Sequence, residues 1–339
     1  MRTVVQSKKD RQGVVRQNVL VKQEFFDLQK MKDGFLLEQK CRGNSVETVK
    51  YYEGNISRFI RYLEEFKIDT DTSAITKDEI KRYIVYLKGT KKWEKTEFIT
   101  SDKQLASKSV QTYIRALKAW VSWIEDEGYL DNVVSKDIKL PKASAPAVEI
   151  LTEDEIKKIL KYLEDKKVNN LRDQVILMVL IECGIRLEEV TKLMINNVRL
   201  NQNTLKVLGK GNKERFVSFG VNLQRIFFKY INQERPEPAN AKTESLFLKQ
   251  DGTPITQSTI KQLFRRLGNK TGITKIHPHL CRHTYCTMYL ARGGDIFSLK
   301  QSTGHESFEI LNNYVHLAST IVNLKDKSLS LLDSMKLKN

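Results

Sequence analysis

The chain has 339 residues, and its 58 lysines and arginines exceed its 41 aspartates and glutamates by 17. This excess of positive charge favours a polyanionic partner such as nucleic acid over a merely solvated basic surface. No apolar stretch approaches the ~18 residues that a membrane span requires, and no secretory signal is visible at the N-terminus. The four cysteines form no CxxC pair, which argues against a disulfide framework or a zinc ribbon, so we expect a cytoplasmic protein without membrane contact.

The first part of the chain has a helical pattern. Residues 1–22 are basic without a sustained apolar period, and we predict a flexible arm there. Over residues 23–140 apolar residues recur at helical spacing; one helix, for example, follows the N-cap residue Ser45 and continues to Leu63. We assign residues 23–140 to a helical domain.

A second domain follows a predicted linker. The stretch "KLPKASAPAV" combines two prolines with small residues, so we place a linker at residues 141–150. Residues 151–325 show helical patterns except in "NVRLNQNTLKVLGKGNKERFVSFG", whose short β-prone runs predict a three-stranded antiparallel meander. Residues 326–339 form an amphipathic tail. The expected fold is therefore mainly α in two domains, the second of them mixed α/β with a small antiparallel sheet.

The stretch "HPHLCRHTYCT" holds three of the five histidines of the chain. His277, His279, Cys281 and His283 could in principle bind zinc. However, His279 and His283 share one helical face while the other two do not, and no HExxH or CxxC motif completes the set. We therefore expect no metal at this site.

The same stretch suits a phosphate better than a metal. Arg282 lies three residues after His279, so on a helix both side chains emerge from one face. A guanidinium donates a charge-assisted fork to a phosphate, and an imidazole adds a directional hydrogen bond. An arginine in an ordinary salt bridge at a helix start is the alternative.

Three other stretches carry candidate residues. In "CGIRLEEV", Arg186 follows a glycine helix stop, and Glu189 lies at i+3, where it can orient the guanidinium. In "VLGKGNKERFV", Lys210 lies at the tip of the predicted hairpin. In "STGHESFEILNNYVHLA", His305 precedes Tyr314 by nine residues.

The chain resembles the tyrosine recombinases, the phage-integrase family, over roughly residues 25–325. The resemblance lies in the order and spacing of six residues: Arg186, Lys210, His279, Arg282, His305 and Tyr314. The resemblance implies a SAM-like helical core-binding domain and a catalytic domain with the DNA breaking-rejoining fold, which grip opposite faces of duplex DNA. The chain departs from the family pattern at Cys183, Cys281 and Thr303, where threonine, leucine and leucine are usual. We interpret these three as packing positions that flank the chemistry.

The resemblance also implies the roles of the residues that act on the phosphate. Tyr314 would be the nucleophile, and we expect nearby cations to favour its phenolate. Arg186 and Arg282 would hold the non-bridging oxygens of the scissile phosphate and stabilise the charge of the transition state.

The remaining candidates would handle protons and orientation. His279 would donate to the phosphate or accept the phenolic proton, and His305 would be a second donor. Lys210 would protonate the leaving 5′-oxygen, and Glu189 would orient Arg186. With that much positive charge, neither a metal nor another cofactor is expected. The resemblance also implies that a 3′-phosphotyrosyl link stores the bond energy, so ATP is not expected either.

The expected partners follow from the same resemblance. The chain would act on double-stranded DNA as a homotetramer, would be monomeric when free, and could use an accessory DNA-bending protein. The tail 326–339 would dock on a neighbouring protomer or fold back on its own domain. DNA-backbone contacts are expected from basic residues that could also be a solvated face: Lys91, Lys92, Lys95, Lys261, Arg265 and Arg266.

Site-specific recombination, for integration or excision of a mobile element through a Holliday junction, is thus the main functional hypothesis. Two alternatives stay open on sequence alone. The first is a non-catalytic DNA-binding regulator that retains the fold, and the second is an enzyme that breaks and rejoins strands like a type IB topoisomerase.

Overall fold

The fold was analysed in a computed structural model, which describes residues 2–3, 22–91, 104–130, 132–142, 149–165 and 170–325. Within these ranges the backbone alone is described at 2–3, 22–23, 210 and 323–325. The chain divides into two compact units, Met1–Pro146 and Ala147–Asn339. The centre of the predicted linker and the tail 326–339 lie outside the described residues. So does the predicted arm, apart from Arg2, Thr3 and Lys22.

The first unit is helical. A strand pair joins β1 (Arg2–Thr3) to β2 (Lys22–Gln23). The helices are α1 (Leu28–Cys41), α2 (Val46–Glu65), α3 (Lys77–Gly89) and α4 (Ser107–Asp126), with short 3-10 helices at Thr72–Ala74 and Ser135–Asp137. As predicted, the hydroxyl of Ser45 caps α2 by accepting the Thr48 amide at 3.2 Å. The fully buried Trp120 lies in the core of this unit.

The second unit contains eight helices and one sheet among its described residues. The helices are α5 (Glu153–Glu164), α6 (Leu171–Glu182), α7 (Leu187–Thr191), α8 (Val221–Lys229), α9 (Gln257–Thr271), α10 (Pro278–Ala291), α11 (Ile296–Thr303) and α12 (Phe308–Lys325). Shorter turns of 3-10 or π helix lie at Ile195–Asn197, Leu200–Gln202, Lys210–Asn212 and Tyr230–Glu234.

The predicted meander is confirmed. Its strands are β3 (Val198–Arg199), β4 (Thr204–Leu208) and β5 (Glu214–Ser218), antiparallel and in chain order. Leu205 pairs with Val217, and both apolar side chains lie in the core. The mainly helical fold with one small antiparallel sheet is therefore the one expected from sequence.

Gly184 sets the path of the chain into the candidate site. It adopts φ +59° after α6, a conformation that L residues with a side chain rarely adopt. A Cβ at this position would lie 2.1 Å from Cδ1 of Tyr285, where no atom fits. The chain therefore turns here in a space that only glycine can occupy, and Arg186 follows directly at the start of α7.

Helices α10 and α12 pack together and, with the end of α11, carry most of the predicted site. α10 begins at Pro278, whose fixed φ and missing amide proton suit the first helical position. Cys183, Cys281 and Cys286 are buried free thiols, and Cys41 is exposed. No helix within the described ranges is long and apolar enough to cross a membrane.

Two glycine substitutions should have opposite effects on stability. Gly184→Ala should lower the free energy of unfolding by about 3 kcal/mol, because it adds left-handed strain and overlap with Tyr285. Gly54→Ala, in the open middle of α2, should raise it by about 0.5–1 kcal/mol. Urea denaturation of the full chain followed by circular dichroism measures both. A Gly184→Ala protein as stable as the parent would contradict the close packing described for Tyr285.

Candidate active site

Five of the six predicted catalytic residues lie together around one site of the second unit, which we call the pocket. Arg186 is the N-cap of α7, His279 and Arg282 lie on α10, His305 follows α11, and Tyr314 lies on α12. Lys210 lies in the turn between β4 and β5, but its side chain is outside the part of the chain that the structure describes. The sequence order alone thus predicted a set of residues that folding brings together from four separate elements.

Arg282 lies at the bottom of this pocket, with 2% of its surface exposed. Nη1 donates to the carbonyl of Gly184 at 2.7 Å, and Nη2 donates to the carbonyl of Thr303 at 2.9 Å. Nη2 also lies 3.0 Å from Nε2 of His305. Burial, followed by the charge of Arg186, lowers the pKa of Arg282 to about 10, which leaves it charged at neutral pH.

A buried carboxylate joins two further arginines. Glu189 accepts both Nη groups of Arg215 at 2.8 Å, a bidentate pair. It also accepts the backbone amide of Arg186 at 2.6 Å and Nη1 of Arg186 at 3.3 Å. Burial alone would raise the pKa of Glu189, but the hydrogen bonds and charge of Arg215 hold it below its usual value. Glu189 therefore contacts Arg186 as expected, and Arg215 holds Glu189.

Three consecutive carbonyls at the end of α11 each accept a different arginine. Ser302 accepts Nε of Arg215 at 2.7 Å, Thr303 accepts Nη2 of Arg282 at 2.9 Å, and Gly304 accepts Nη2 of Arg186 at 2.7 Å. The last carbonyls of a helix have no partner within the helix and carry its partial negative charge. We call these three carbonyls the α11 carbonyl cluster. They hold the three guanidinium groups beside the residues that directly precede His305.

His305 is held by groups on both of its ring nitrogens. Nδ1 lies 2.7 Å from Oγ1 of Thr303, and Nε2 lies 3.0 Å from Nη2 of Arg282. Burial, followed by the charges of Arg282 and Arg186, lowers the pKa of His305 to about 3. The ring is therefore neutral in the free protein. Thr303, which we interpreted as a packing position, contacts His305 directly, so that interpretation is wrong.

Tyr314 is buried, with its hydroxyl 2.6 Å from Nδ1 of His283. Burial raises the pKa of the phenol to about 12, and the lowering effect of Arg282 is smaller. The expectation that nearby cations favour the phenolate is therefore wrong for this conformation. The cations are present, but loss of water around the phenol outweighs them.

The imidazole nearest the phenol is His283, whereas His279 was the expected acceptor. The rings of His279 and His283 lie 4.2 Å apart. Burial, followed by the neighbouring His279, lowers the pKa of His283 to about 4. Burial and then the charge of Arg282 also lower the pKa of His279, which is exposed at the mouth of the pocket. A neutral His283 can accept a hydrogen bond from the phenol.

Three of the predicted DNA-contact residues lie on α9, which carries none of the residues described above. Lys261 and Arg265 are exposed there. Arg266 on the same helix forms a short ion pair with the buried Asp173, so part of its role is structural. Lys91 is exposed in the first unit, and Lys92 and Lys95 lie outside the described residues. Within the described ranges, no group of three or more histidine, cysteine, aspartate or glutamate side chains could hold a metal ion.

Sequence inspection missed three residues that build the site. Arg215 follows the hairpin lysine within "GKGNKERF" and lies near the start of β5. That position in the strand was the available signal that its side chain could contact the site. His283 was considered only as a zinc ligand, although it follows Arg282 directly. Thr303 differs from the leucine usual in the family, and that departure was the available signal for a polar contact.

The comparisons with known proteins agree on one family. The model of the Phage integrase family matches residues 149–320. The chain is 26% identical to tyrosine recombinase XerD of Listeria innocua, over 86% of this chain and 94% of the relative. It is 29% identical to tyrosine recombinase XerC of Oceanobacillus iheyensis, over 80% of this chain and 85% of the relative.

Solved structures share the fold at lower identity. XerH recombinase bound to its palindromic difH substrate aligns with TM-score 0.66 and 20% identity, covering 87% of this chain and 82% of that chain. The Tn1549 transposon integrase in complex with circular intermediate DNA aligns with TM-score 0.63 and 20% identity, covering 85% of this chain and 95% of that chain.

The neutral site histidines predict a dependence of stability on pH. The pKa of His283 is about 4 in the folded protein and about 6.5 when unfolded, so the unfolded chain binds more protons between these values. The free energy of unfolding should therefore fall as the pH is lowered from 6.5 toward 4. His283→Gln should reduce this slope, and His316→Gln, exposed on α12, should leave it unchanged. Denaturation at a series of pH values measures the slope, and equal slopes in all three proteins would contradict the assignment.

Proposed function

Because this chain belongs to the phage integrase family of tyrosine recombinases, we propose that it cleaves and rejoins DNA at specific sites through a 3′-phosphotyrosyl intermediate. The observation that carries this proposal is the pocket itself. Arg186, Arg282, His279 and His305, from three different parts of the second unit, converge beside one tyrosine hydroxyl, and the predicted lysine lies on the adjoining hairpin. This is the set of groups that phosphoryl transfer to a side chain requires.

Duplex DNA is the proposed partner. The net charge of +17 favours a polyanion, and the exposed Lys261 and Arg265 are available for backbone contacts. The XerH and Tn1549 structures with the same fold were both solved with DNA. We propose that the protein works in the cytoplasm, where its DNA lies.

In the proposed cleavage step, the phenolic oxygen of Tyr314 attacks the scissile phosphorus. One P–O bond forms to Tyr314 as the P–O bond to the 5′-oxygen breaks. The phenol releases its proton, for which the neutral His279 and His283 are the nearby bases, and the leaving oxygen takes a proton from Lys210. For this attack Tyr314 must leave the buried position beside His283 that it occupies in the free protein.

The arginines would stabilise the charge that develops on the non-bridging oxygens. Arg186 has 40% of its side chain exposed, so it can turn a face of its guanidinium toward a phosphate. Arg282 is almost fully buried and shares Nη2 between Thr303 and His305. A bound phosphate oxygen would therefore take the place of the His305 contact, and His279 at the pocket mouth would donate to the same group.

Rejoining is the same step in reverse, with a 5′-hydroxyl attacking the phosphotyrosine. ATP is not needed, because the covalent bond to Tyr314 conserves the energy of the phosphodiester. A metal ion is not needed either, because five cationic or imidazole groups supply the charge that a metal ion provides in many nucleases. Two rounds of exchange through a Holliday junction call for four protomers on DNA. We propose integration or excision of a mobile element as the outcome, with an accessory DNA-bending protein as a possible partner.

Covalent adduct formation tests this function. The full-length protein is incubated in EDTA with nicked suicide duplexes carrying the ends of its own element, and adducts are resolved on denaturing gels. We expect an adduct with the parent protein, none with Tyr314→Phe, and the parental level with Tyr289→Phe as a matched control.

Each alternative has its own outcome in that experiment. An adduct that persists in Tyr314→Phe, or one that requires Mg²⁺, would overturn the mechanism. DNA binding without any adduct would indicate a regulator that keeps only the fold. Relaxation of supercoiled DNA without recombinant junctions would indicate the topoisomerase-like reaction.

The fork geometry of the arginines gives a separate prediction. Arg186→Lys and Arg282→Lys each replace a fixed fork of donors with a point charge, and should slow adduct formation by roughly 10²- to 10³-fold. Arg292→Lys, on the exposed end of α10, should change the rate less than about twofold. Single-turnover rates on the suicide duplex measure these effects. Parental rates in both lysine variants would exclude the proposed phosphate contacts.

A further inference from the structure

We propose that Thr303 is a positioning residue that holds His305 with a proton on Nδ1, so that Nε2 is the nitrogen presented to the scissile phosphate. This inference rests on the proposed function of the pocket. It follows from two contacts of the Thr303 hydroxyl in the free protein, one with Nδ1 of His305 and one with the carbonyl of Leu299.

Arg282 contacts the ring of His305 but does not assign its proton. Nη2 of Arg282 lies 3.0 Å from Nε2 and 3.5 Å from Nδ1, so the guanidinium approaches the side of the ring and not the lone pair of either nitrogen. The neutral ring carries one proton, on one of its two nitrogens. The partners of Thr303 decide which nitrogen that is.

Thr303 then satisfies the Nδ1 proton. Its Oγ1 lies 2.7 Å from Nδ1 and 2.5 Å from the carbonyl oxygen of Leu299. The carbonyl can only accept, so the hydroxyl donates its own proton to Leu299 and accepts the proton of Nδ1. Thr303 is fully buried, which excludes water as a substitute partner. A leucine here would leave a polar N–H group without an acceptor, at a cost in free energy.

The same contact supports the reacting state. When a phosphate oxygen approaches Nε2, that nitrogen can take a proton from solvent and donate it to the phosphate. The Nδ1 proton stays on Thr303, so both N–H groups of the imidazolium are paired. The hydroxyl thus favours the charged ring. The charged and titratable groups that face His305 are Arg186, Arg282, His279, His283 and Tyr314.

Nitrogen NMR tests the tautomer without any DNA. Full-length protein carrying ¹⁵N-labelled histidine rings, with the His305 signals assigned from a His305→Gln sample, should show a protonated Nδ1 and an unprotonated Nε2 at pH 7. Thr303→Ser should keep this pattern, and Thr303→Val and Thr303→Leu should lose it. An unprotonated Nδ1 in the parent protein, or an unchanged pattern in a valine or leucine variant with parental circular dichroism, would overturn the proposal.

The pH profile of adduct formation tests the consequence for the reaction. Because His305 acts when protonated, activity falls as the pH rises through its pKa in the DNA complex. Thr303→Val removes the acceptor, so the pH at which the rate of adduct formation falls should be about one unit lower than in the parent protein. At pH values above that point the variant should react about tenfold more slowly. Thr303→Ser should restore the parental profile. Superimposable profiles would reject the role in the reaction. Absence of an adduct in the parent protein would instead reject the proposed function, while the NMR result would still decide the tautomer.

Discussion

The free carbonyl oxygens at the end of α11 hold the site together. Guanidinium groups repel one another, and three of them approach here because each donates to a different carbonyl at the end of one helix. Gly304 is part of this arrangement, since its φ of +66° ends the helix, and a Cβ would lie 3.4 Å from Nη1 of both Arg186 and Arg215. Glu189 supplies one negative charge against three positive charges. These four side chains therefore keep an excess of two positive charges, which suits the phosphodiester of the proposed reaction.

Local patterns in the sequence predicted local structure well. The cap at Ser45 and the alternation of β4 and β5 depend on residues within a few positions of one another, so they could be read directly. The contacts of Arg215 could not be predicted from local patterns. Its partners are 26 residues away at Glu189 and 87 residues away at Ser302, and no periodicity connects them.

Resemblance to a family singled out side chains that lie together in the fold, but not their state in the free protein. Arg186, Arg282 and Tyr314, chosen by their order in the sequence, are brought to one place by folding. The protonation of each group depends on how much water the surrounding side chains exclude, which is a property of the folded interior. That is why the phenol pKa was expected to fall and instead rises, and why His283 rather than His279 contacts the phenol.

The position of Tyr314 has a consequence for the reaction proposed above. A hydroxyl held against His283 with its proton firmly bound would not attack DNA that the protein merely contacts. In that reaction, release of the side chain would be the point at which recognition of a correct sequence is converted into commitment to cut. Fidelity would then depend on the release of Tyr314 as well as on the reading of bases.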